Sequence, residues 1–237
     1  LMAAKVPLPK RIYGHGWILS DQKKMSKSLG NILDPLEIIK NFGIDQLRYY
    51  LIKEVSLGND GNISLDSLTN CINNDLANNY GNLCQRVFAF VNKNCESKIP
   101  STSKIINEDN LLSNQIVSEL PALKVLMDDQ NLNAYIKKVI EFSFNANKYF
   151  NDQEPWSLKK NNQERMNTII YIILNQIKSI SILLNPIMPQ ATNKILTTLG
   201  IKQEDRVLKT IENINFLKPG TVINKSEILF KKIENDN

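Results

Sequence analysis

The 237-residue sequence contains one histidine and three cysteines, and this scarcity excludes several kinds of active site. A Ser-His-Asp or Cys-His nucleophile system would have to use His15, and no serine or cysteine stands in a recognisable elbow around it. A histidine between two glycines is more often held by local hydrogen bonds than catalytic. The cysteines form no CxxC pair, which favours a reducing cytoplasm over a disulfide framework and makes a metal site unexpected.

Phosphate loops of the GxxxxGK[ST] and GxGxxG types are also missing, as are a membrane span and a signal peptide. The most apolar run, 169–184, is interrupted by polar residues and is predicted to be a buried helix. The chain begins on leucine, as expected for a piece of a longer protein. Its 42% hydrophobic content indicates a globular protein, and its net charge of +5 leans toward a polyanionic partner.

The first 60 residues have the pattern of a short strand, a loop and two helices. The strand is expected within 11–22, and KKMSKSLGN at 23–31 is the loop after it. Asp34 is predicted to cap a helix with Pro35 in its first position and Glu37 completing a capping box, and Gly43 is predicted to end it. A second helix then runs to the turn-rich LGNDGN. We place the domain boundary there, giving units 1–60 and 61–237.

The second unit is predicted to be an α-helical bundle, so the fold is expected to be mainly α. Apolar residues recur at helical spacing in five segments, at about 65–90, 110–128, 131–151, 163–185 and 189–199. The tail from about 205 is weakly patterned and is expected to be irregular, with a possible short strand or helix.

KKMSKSLGN is suited to handling phosphate. Ammonium groups on flexible stems can follow the negative charge that builds on a leaving pyrophosphate, and the hydroxyls of Ser26 and Ser28 can add hydrogen bonds. On composition alone, however, a turn rich in lysine and serine is more often simply solvated.

A polar stripe on the 65–90 helix is the second candidate site. At 100° per residue, Asn74, Asn78, Asn82 and Arg86 share one face beside the apolar face. Amides and guanidinium groups suit the recognition of unpaired bases, and Trp156 offers a stacking platform. The alternatives are a solvated asparagine-rich face and a tryptophan that serves the core or an interface.

The spelling KMSKS, Lys24 to Ser28, resembles the signature loop of class I aminoacyl-tRNA synthetases. The flanks continue the match, with HGW before it and SLGN and DP after it. This segment alone is also compatible with the isoleucyl, valyl, leucyl and cysteinyl enzymes and does not choose among them.

Five further motifs resemble the methionyl-tRNA synthetase family across the whole sequence. They are IDQLRYYLIKEVSLGNDGNIS, DLANNYGNLCQR, NDQEPW, LNPIMP and LFKKIE, in the order of the family. The resemblance implies the end of a Rossmann-type catalytic domain and a stem-contact segment, followed by an α-helical anticodon-binding bundle. It also implies ATP-dependent ligation of methionine to its tRNA through methionyl-adenylate, with ATP and Mg²⁺ as substrate and no metal site in this portion.

The resemblance assigns roles to particular residues. The ATP-contacting loop maps onto Lys24, Met25, Ser26, Lys27 and Ser28, with Lys24 and Lys27 as the catalytic lysines. The anticodon readers map onto Asn82, Arg86, Pro155 and Trp156, with Asn78 nearby. This sequence departs from the family pattern at Gln22, where a glycine is usual, at Ile63 and at Cys71.

The HIGH-type motif and the methionine pocket of the family do not occur in these 237 residues. The resemblance therefore implies that this portion alone does not activate methionine. Two other functions stay open at this point: a non-catalytic RNA-binding module that retains only anticodon recognition, and a helical scaffold with no RNA role. We expect a cytoplasmic monomer.

Overall fold

The computed structural model describes residues 1–10, 12, 14–20, 22–26, 28, 30–223 and 228–234. Its architecture is mainly α, as predicted, with one small sheet. The strands are β1 (Ile18–Ser20), β2 (Lys23–Lys24) and β3 (Gly61–Ile63), in the order β2-β1-β3. β1 pairs antiparallel with β2 and parallel with β3. The strand expected within 11–22 is limited to Ile18–Ser20, so His15 precedes it and is not a strand residue.

Two helices follow the first hairpin. Helix α1 (Pro35–Phe42) begins with Pro35, and the side chain of Asp34 accepts a hydrogen bond from the backbone N–H of Leu36. Gly43, at φ 100°, separates α1 from α2 (Ile44–Glu54), because this conformation is open to glycine and strained for other residues. The cap at Asp34, the start at Pro35 and the stop at Gly43 are therefore confirmed. The capping box expected with Glu37 is not formed, because Asp34 accepts from Leu36 rather than from Glu37.

The predicted helix of 65–90 is continuous but not uniform. It consists of α3 (Leu65–Cys71), a π-helical segment (Ile72–Tyr80) and α4 (Gly81–Asn94). In the π-helical segment each N–H reaches the carbonyl five residues earlier, so a turn holds more residues than in an α-helix. The angular step of 100° per residue is consequently wrong between Ile72 and Tyr80.

The rest of the bundle agrees with the predicted helices. Its members are α5 (Asn107–Asp128), α6 (Leu132–Gln153), the short α7 (Pro155–Leu158), α8 (Gln163–Leu184), α9 (Pro189–Thr198) and α10 (Leu208–Glu212). Helix α8 is long and apolar enough to cross a membrane by length and composition, yet 94% of its most apolar window is buried by the other elements. It is the central core helix, as the sequence predicted.

Helix α2 is fixed to the bundle at the motif LNPIMP. Buried Asp45 accepts a hydrogen bond of 2.7 Å from the backbone N–H of Ala191, in the first turn of α9. Arg48 donates to the carbonyls of Ile187 at 2.7 Å and Pro186 at 2.9 Å. Because α2 belongs to the first predicted unit and α9 to the second, these hydrogen bonds hold the first unit against the bundle.

The tail is held by the long helix. Asn73 in the π-helical segment exchanges two hydrogen bonds with the backbone of Ile233, at 2.9 and 2.8 Å. Gly81 lies beside Phe230, whose ring would be 3.0 Å from an added Cβ atom. Two residues of the motif LFKKIE thus pack on the segment that carries DLANNYGN.

Lys178 is a fully buried cation in α8. Its Nζ donates to the carbonyls of Thr210 at 3.1 Å and Asn213 at 2.9 Å, which tie α8 to the end of α10. Burial lowers the pKa of Lys178 to about 8. The unfolded chain, with a lysine pKa of about 10.4, therefore binds more protons than the folded chain between these two values, and this group makes stability rise with pH there.

We expect the Lys178→Met variant to lack this rise. The unfolding free energy of the wild type minus that of the variant should increase by about 2 kcal/mol between pH 7.5 and pH 10, as measured by urea denaturation. The subtraction removes the titration of cysteines and tyrosines, which both chains share. Lys209→Met, at an exposed lysine of α10, is the control and should show no such change. A constant difference for Lys178→Met would contradict the prediction.

Candidate nucleotide loop and nucleic-acid interface

The turn before KMSKS keeps a conformation that favours glycine although the residue is Gln22. Its φ is 59°, and its backbone N–H donates to Oδ1 of Asn62 at 2.6 Å. A non-glycine residue in this left-handed region costs roughly 1 to 2 kcal/mol. The hairpin of β1 and β2 and the bond to Asn62 hold Gln22 in this conformation.

The described part of the KMSKS loop is tied internally by Asn31. Its Oδ1 accepts from the backbone N–H of Ser26 at 2.9 Å, and its Nδ2 donates to the carbonyl of Lys24 at 3.4 Å. The Ser26 and Ser28 hydroxyls are 3.2 Å apart, and Met25 is partly buried against the core. Lys27, predicted to be catalytic, lies outside the described residues.

Lys24 lies against an exposed aromatic ring. Its Nζ is 4.4 Å from the centroid of Trp17, the tryptophan of HGW, which is 63% exposed. A cation over an indole face is attracted by about 0.5 to 1 kcal/mol at an exposed site. This attraction is weak, so a stronger anionic partner such as a phosphate can draw the Lys24 ammonium group away from the ring.

The second site is a groove between α4 and α7. Helix α6 ends at Gln153, and Glu154 takes the left-handed conformation with φ 41° and ψ 56°. This reversal lets α7 begin on buried Pro155 and returns Trp156 against α6, where its ring is perpendicular to that of Phe150 at 5.6 Å. The indole is 47% exposed, so Phe150 supports it while leaving much of its surface open.

Arg86 is held beside this tryptophan. One of its terminal nitrogens donates to Oδ1 of Asn151 at 2.8 Å, and its Cζ lies 4.9 Å from the centroid of Phe150. A guanidinium group has five N–H donors. The bond to Asn151 uses one and fixes the plane, so the others can be offered to a ligand.

A cavity of about 530 Å³ opens at this cluster. The described residues that line it include three cations and three aromatic rings and no carboxylate: Arg86, Ala89, Phe90, Lys93, Asn94, Phe150, Trp156 and Lys159. Stacking surfaces with cations around them suit a flat base attached to a phosphate. The sequence pointed to Arg86 and Trp156, and the structure brings these two together.

Asn74 and Asn78 of the predicted stripe lie in the π-helical segment, and Asn82 and Arg86 lie in α4. Asn78 is exposed, and Asn82 is half-buried one turn before Arg86. Neither is among the described residues that line the cavity. Buried Asn79 instead serves the core, because Ser143 and Asn147 each donate to its Oδ1 at 3.0 Å.

Sequence reasoning missed Phe150, Asn151, Lys93 and Lys159 as parts of the groove. Asn151 stood in the quoted motif NDQEPW and was the one available signal. Phe150, Lys93 and Lys159 line the groove because the chain reverses at Glu154 and α6 packs on α4. A sequence pattern within one segment does not reveal such contacts between segments.

A second cavity, of about 550 Å³, lies where α2 meets the bundle. Asp75, the aspartate of DLANNYGN, accepts from the Tyr49 hydroxyl at 2.7 Å and forms an ion pair with Lys53 at 2.7 Å. Burial, and next the charge of Asp75, raise the pKa of Tyr49, so this hydroxyl remains a donor. The carboxylate is thus engaged in joining α2 to the long helix.

Two family profiles match the chain. One, described as tRNA synthetases class I (M), matches residues 1–88, and the other, the anticodon binding domain of methionyl tRNA ligase, matches residues 99–237. The first match includes the KMSKS loop and Arg86, and the second includes Phe150, Trp156 and Lys159 of the groove.

Curated relatives and solved structures agree with these profiles. A methionine-tRNA ligase of Rickettsia felis is 39% identical over 100% of this chain and 47% of its own length. One of Thermotoga maritima is 37% identical over 99% of this chain and 37% of its own length. A Mycobacterium tuberculosis methionyl-tRNA synthetase, solved in complex with methionyl-adenylate, is 33% identical with a TM-score of 0.87 over 97% of this chain and 45% of that one. The chain thus spans about half or less of the length of these relatives.

Proposed function

Because the chain belongs to the methionyl-tRNA synthetase family, we propose that it forms the part of a methionine-tRNA ligase that carries the KMSKS loop and reads the anticodon. The full reaction is the ATP-dependent ligation of methionine to its tRNA through methionyl-adenylate. The observation that carries the anticodon role is the groove in which Arg86, Phe150 and Trp156 meet. Phe150 and Trp156 belong to the matched anticodon-binding domain, and Arg86 lies on the helix α4 that precedes it.

In this proposal the loop acts on ATP. Lys24 leaves Trp17 for the triphosphate, and Lys24 and Lys27 stabilise the charge that develops on the departing pyrophosphate. Met25 anchors the loop, and the Ser26 and Ser28 hydroxyls contribute hydrogen bonds. Mg²⁺ accompanies ATP as part of that substrate and needs no site on this portion.

The bundle acts on the anticodon loop of methionine tRNA. Trp156, set by Pro155, stacks on an unpaired base, and Arg86 donates to a base edge. Asn82 lies one turn before Arg86 on the same face, and Asn78 lies further back on the exposed side, where each can donate to neighbouring nucleotides. We also propose that the protein works in the cytoplasm as a monomer, in keeping with its unpaired cysteines.

The proposal is tested by binding of an anticodon stem-loop. The 237-residue chain should bind a stem-loop with the sequence CAU more tightly than one of the same composition with a scrambled loop, by at least tenfold, in a fluorescence anisotropy titration. Affinity should fall as salt rises, because phosphate contacts release counterions. Equal affinity for the two loops would contradict anticodon recognition.

A further inference from the structure

Two lysines flank the groove on opposite walls. Lys93 is on α4, seven residues after Arg86, so the two side chains lie on the same helix face about two turns apart. Lys159 follows α7, three residues after Trp156. Both side chains are exposed, and both line the cavity. The walls therefore place one cation near Arg86 and one near the indole.

Within the described part of the chain, neither lysine has a carboxylate within 4 Å of its ammonium group. Lys93 and Lys159 take part in no ion pair there, whereas Lys98, Lys124 and Lys138 each have a carboxylate within 4 Å. Their ammonium groups are thus available to a ligand, and the ligand that fits has aromatic rings to stack and anionic groups on two sides. A nucleotide within a single strand has this chemistry, because phosphates flank each base.

We propose that Lys93 and Lys159 bind the backbone phosphates on either side of the nucleotide whose base stacks in the groove. This inference rests on the anticodon function proposed above and adds a division of labour to it. Contacts to phosphates fix the position of a strand without reading its sequence, whereas Arg86 and Trp156 contact the base. The two lysines should then strengthen binding by the same factor for every loop sequence. Arg86 and Trp156 should determine the preference for the CAU loop over other loops.

The salt dependence of binding separates these contributions. Affinity falls as salt rises, so the slope of log affinity against log salt is negative. For single strands, each phosphate contact makes this slope steeper by about 0.7. Between 50 and 300 mM KCl, Lys93→Gln and Lys159→Gln should therefore each make this negative slope shallower by about 0.7, and the double variant should make it shallower by about 1.4. At 50 mM KCl each single variant should bind about three- to tenfold more weakly, by the same factor for the CAU loop and the scrambled loop.

Lys209→Gln removes the same charge from α10, which contributes no residue to the groove, and is the matched control with an unchanged slope. If the wild type prefers CAU and the lysine variants keep its slope, the proposal about phosphates is overturned and the anticodon function stands. If the variants lower the slope equally for both loops but the wild type has no preference, the lysines bind phosphate and the anticodon function fails. A loss confined to the CAU loop would also overturn the proposal, since it would make the lysines base readers.

Discussion

Replacing Asp109 by alanine should lower the free energy of unfolding by about 3 to 5 kcal/mol, since it leaves a charged partner unpaired in a mostly buried site. Asp109 is completely buried in the first turn of α5. Arg165 of α8 donates to both of its oxygens, at 2.5 and 2.9 Å, and the Tyr149 hydroxyl of α6 donates at 2.5 Å. One carboxylate thus joins three helices, and urea denaturation at pH 7 measures the effect of its loss.

The same helix supplies a control for this prediction. Asp128 pairs with Lys124 at 2.5 Å, but both side chains are more than 60% exposed, so Asp128→Ala should cost less than about 1 kcal/mol. A loss for Asp109→Ala as small as that of the control would refute the assignment of a joining role to the buried carboxylate.

The pH dependence of the free energy of unfolding in acid gives a second test of the interactions around Asp109. Burial alone would raise the pKa of Asp109, but the hydrogen bonds from Arg165, Tyr149 and the backbone N–H of Ile106 outweigh it and lower the pKa. The stabilisation is therefore present above the unfolded carboxyl pKa of about 3.9 and is lost as pH falls through the lower folded value. The free energy of unfolding of the wild type should therefore fall in acid by this contribution. That of Asp109→Ala should not show this fall, because the variant lacks the carboxylate.

The helices of the bundle were predictable because their apolar residues repeat at the helical period over many turns. Helix α8 is the clearest case, since its apolar run with a few polar interruptions is what a fully enclosed helix contains. The start of α1 was equally predictable, because Asp34 and Pro35 act through local geometry alone. Both kinds of signal lie within one segment of chain.

The π-helical segment and the groove depend on contacts between distant segments. The backbone N–H of Gly81 reaches the carbonyl of Leu76, and the tail residue Phe230 packs where Gly81 has no side chain. Nothing in DLANNYGN alone records that the tail returns there. The step of 100° per residue used for the stripe therefore does not hold through this segment. The positive φ of Glu154, which brings Trp156 to Phe150, was equally hidden.

Trp156→Ala should weaken binding of the CAU stem-loop by about 5- to 150-fold, because one base loses a stacking contact of about 1 to 3 kcal/mol. The indole is the most exposed of the three rings in the groove and the one with the largest π surface. Trp156→Phe keeps a ring against Phe150 and should retain most of the affinity. Fluorescence anisotropy at a fixed salt concentration compares the three proteins.

Trp17 provides the matched control, because it is an exposed tryptophan that lines no part of the groove. Trp17→Ala should leave binding of the isolated stem-loop unchanged, although it removes the ring on which Lys24 rests. Thermal unfolding of Trp156→Ala shows whether the fold is kept, as expected for a half-exposed side chain at a helix start. If the folded Trp156→Ala protein binds the stem-loop as tightly as the wild type, the base does not stack on this indole. If Trp17→Ala weakens binding equally, the two rings act through a general surface effect and the groove is not the anticodon site.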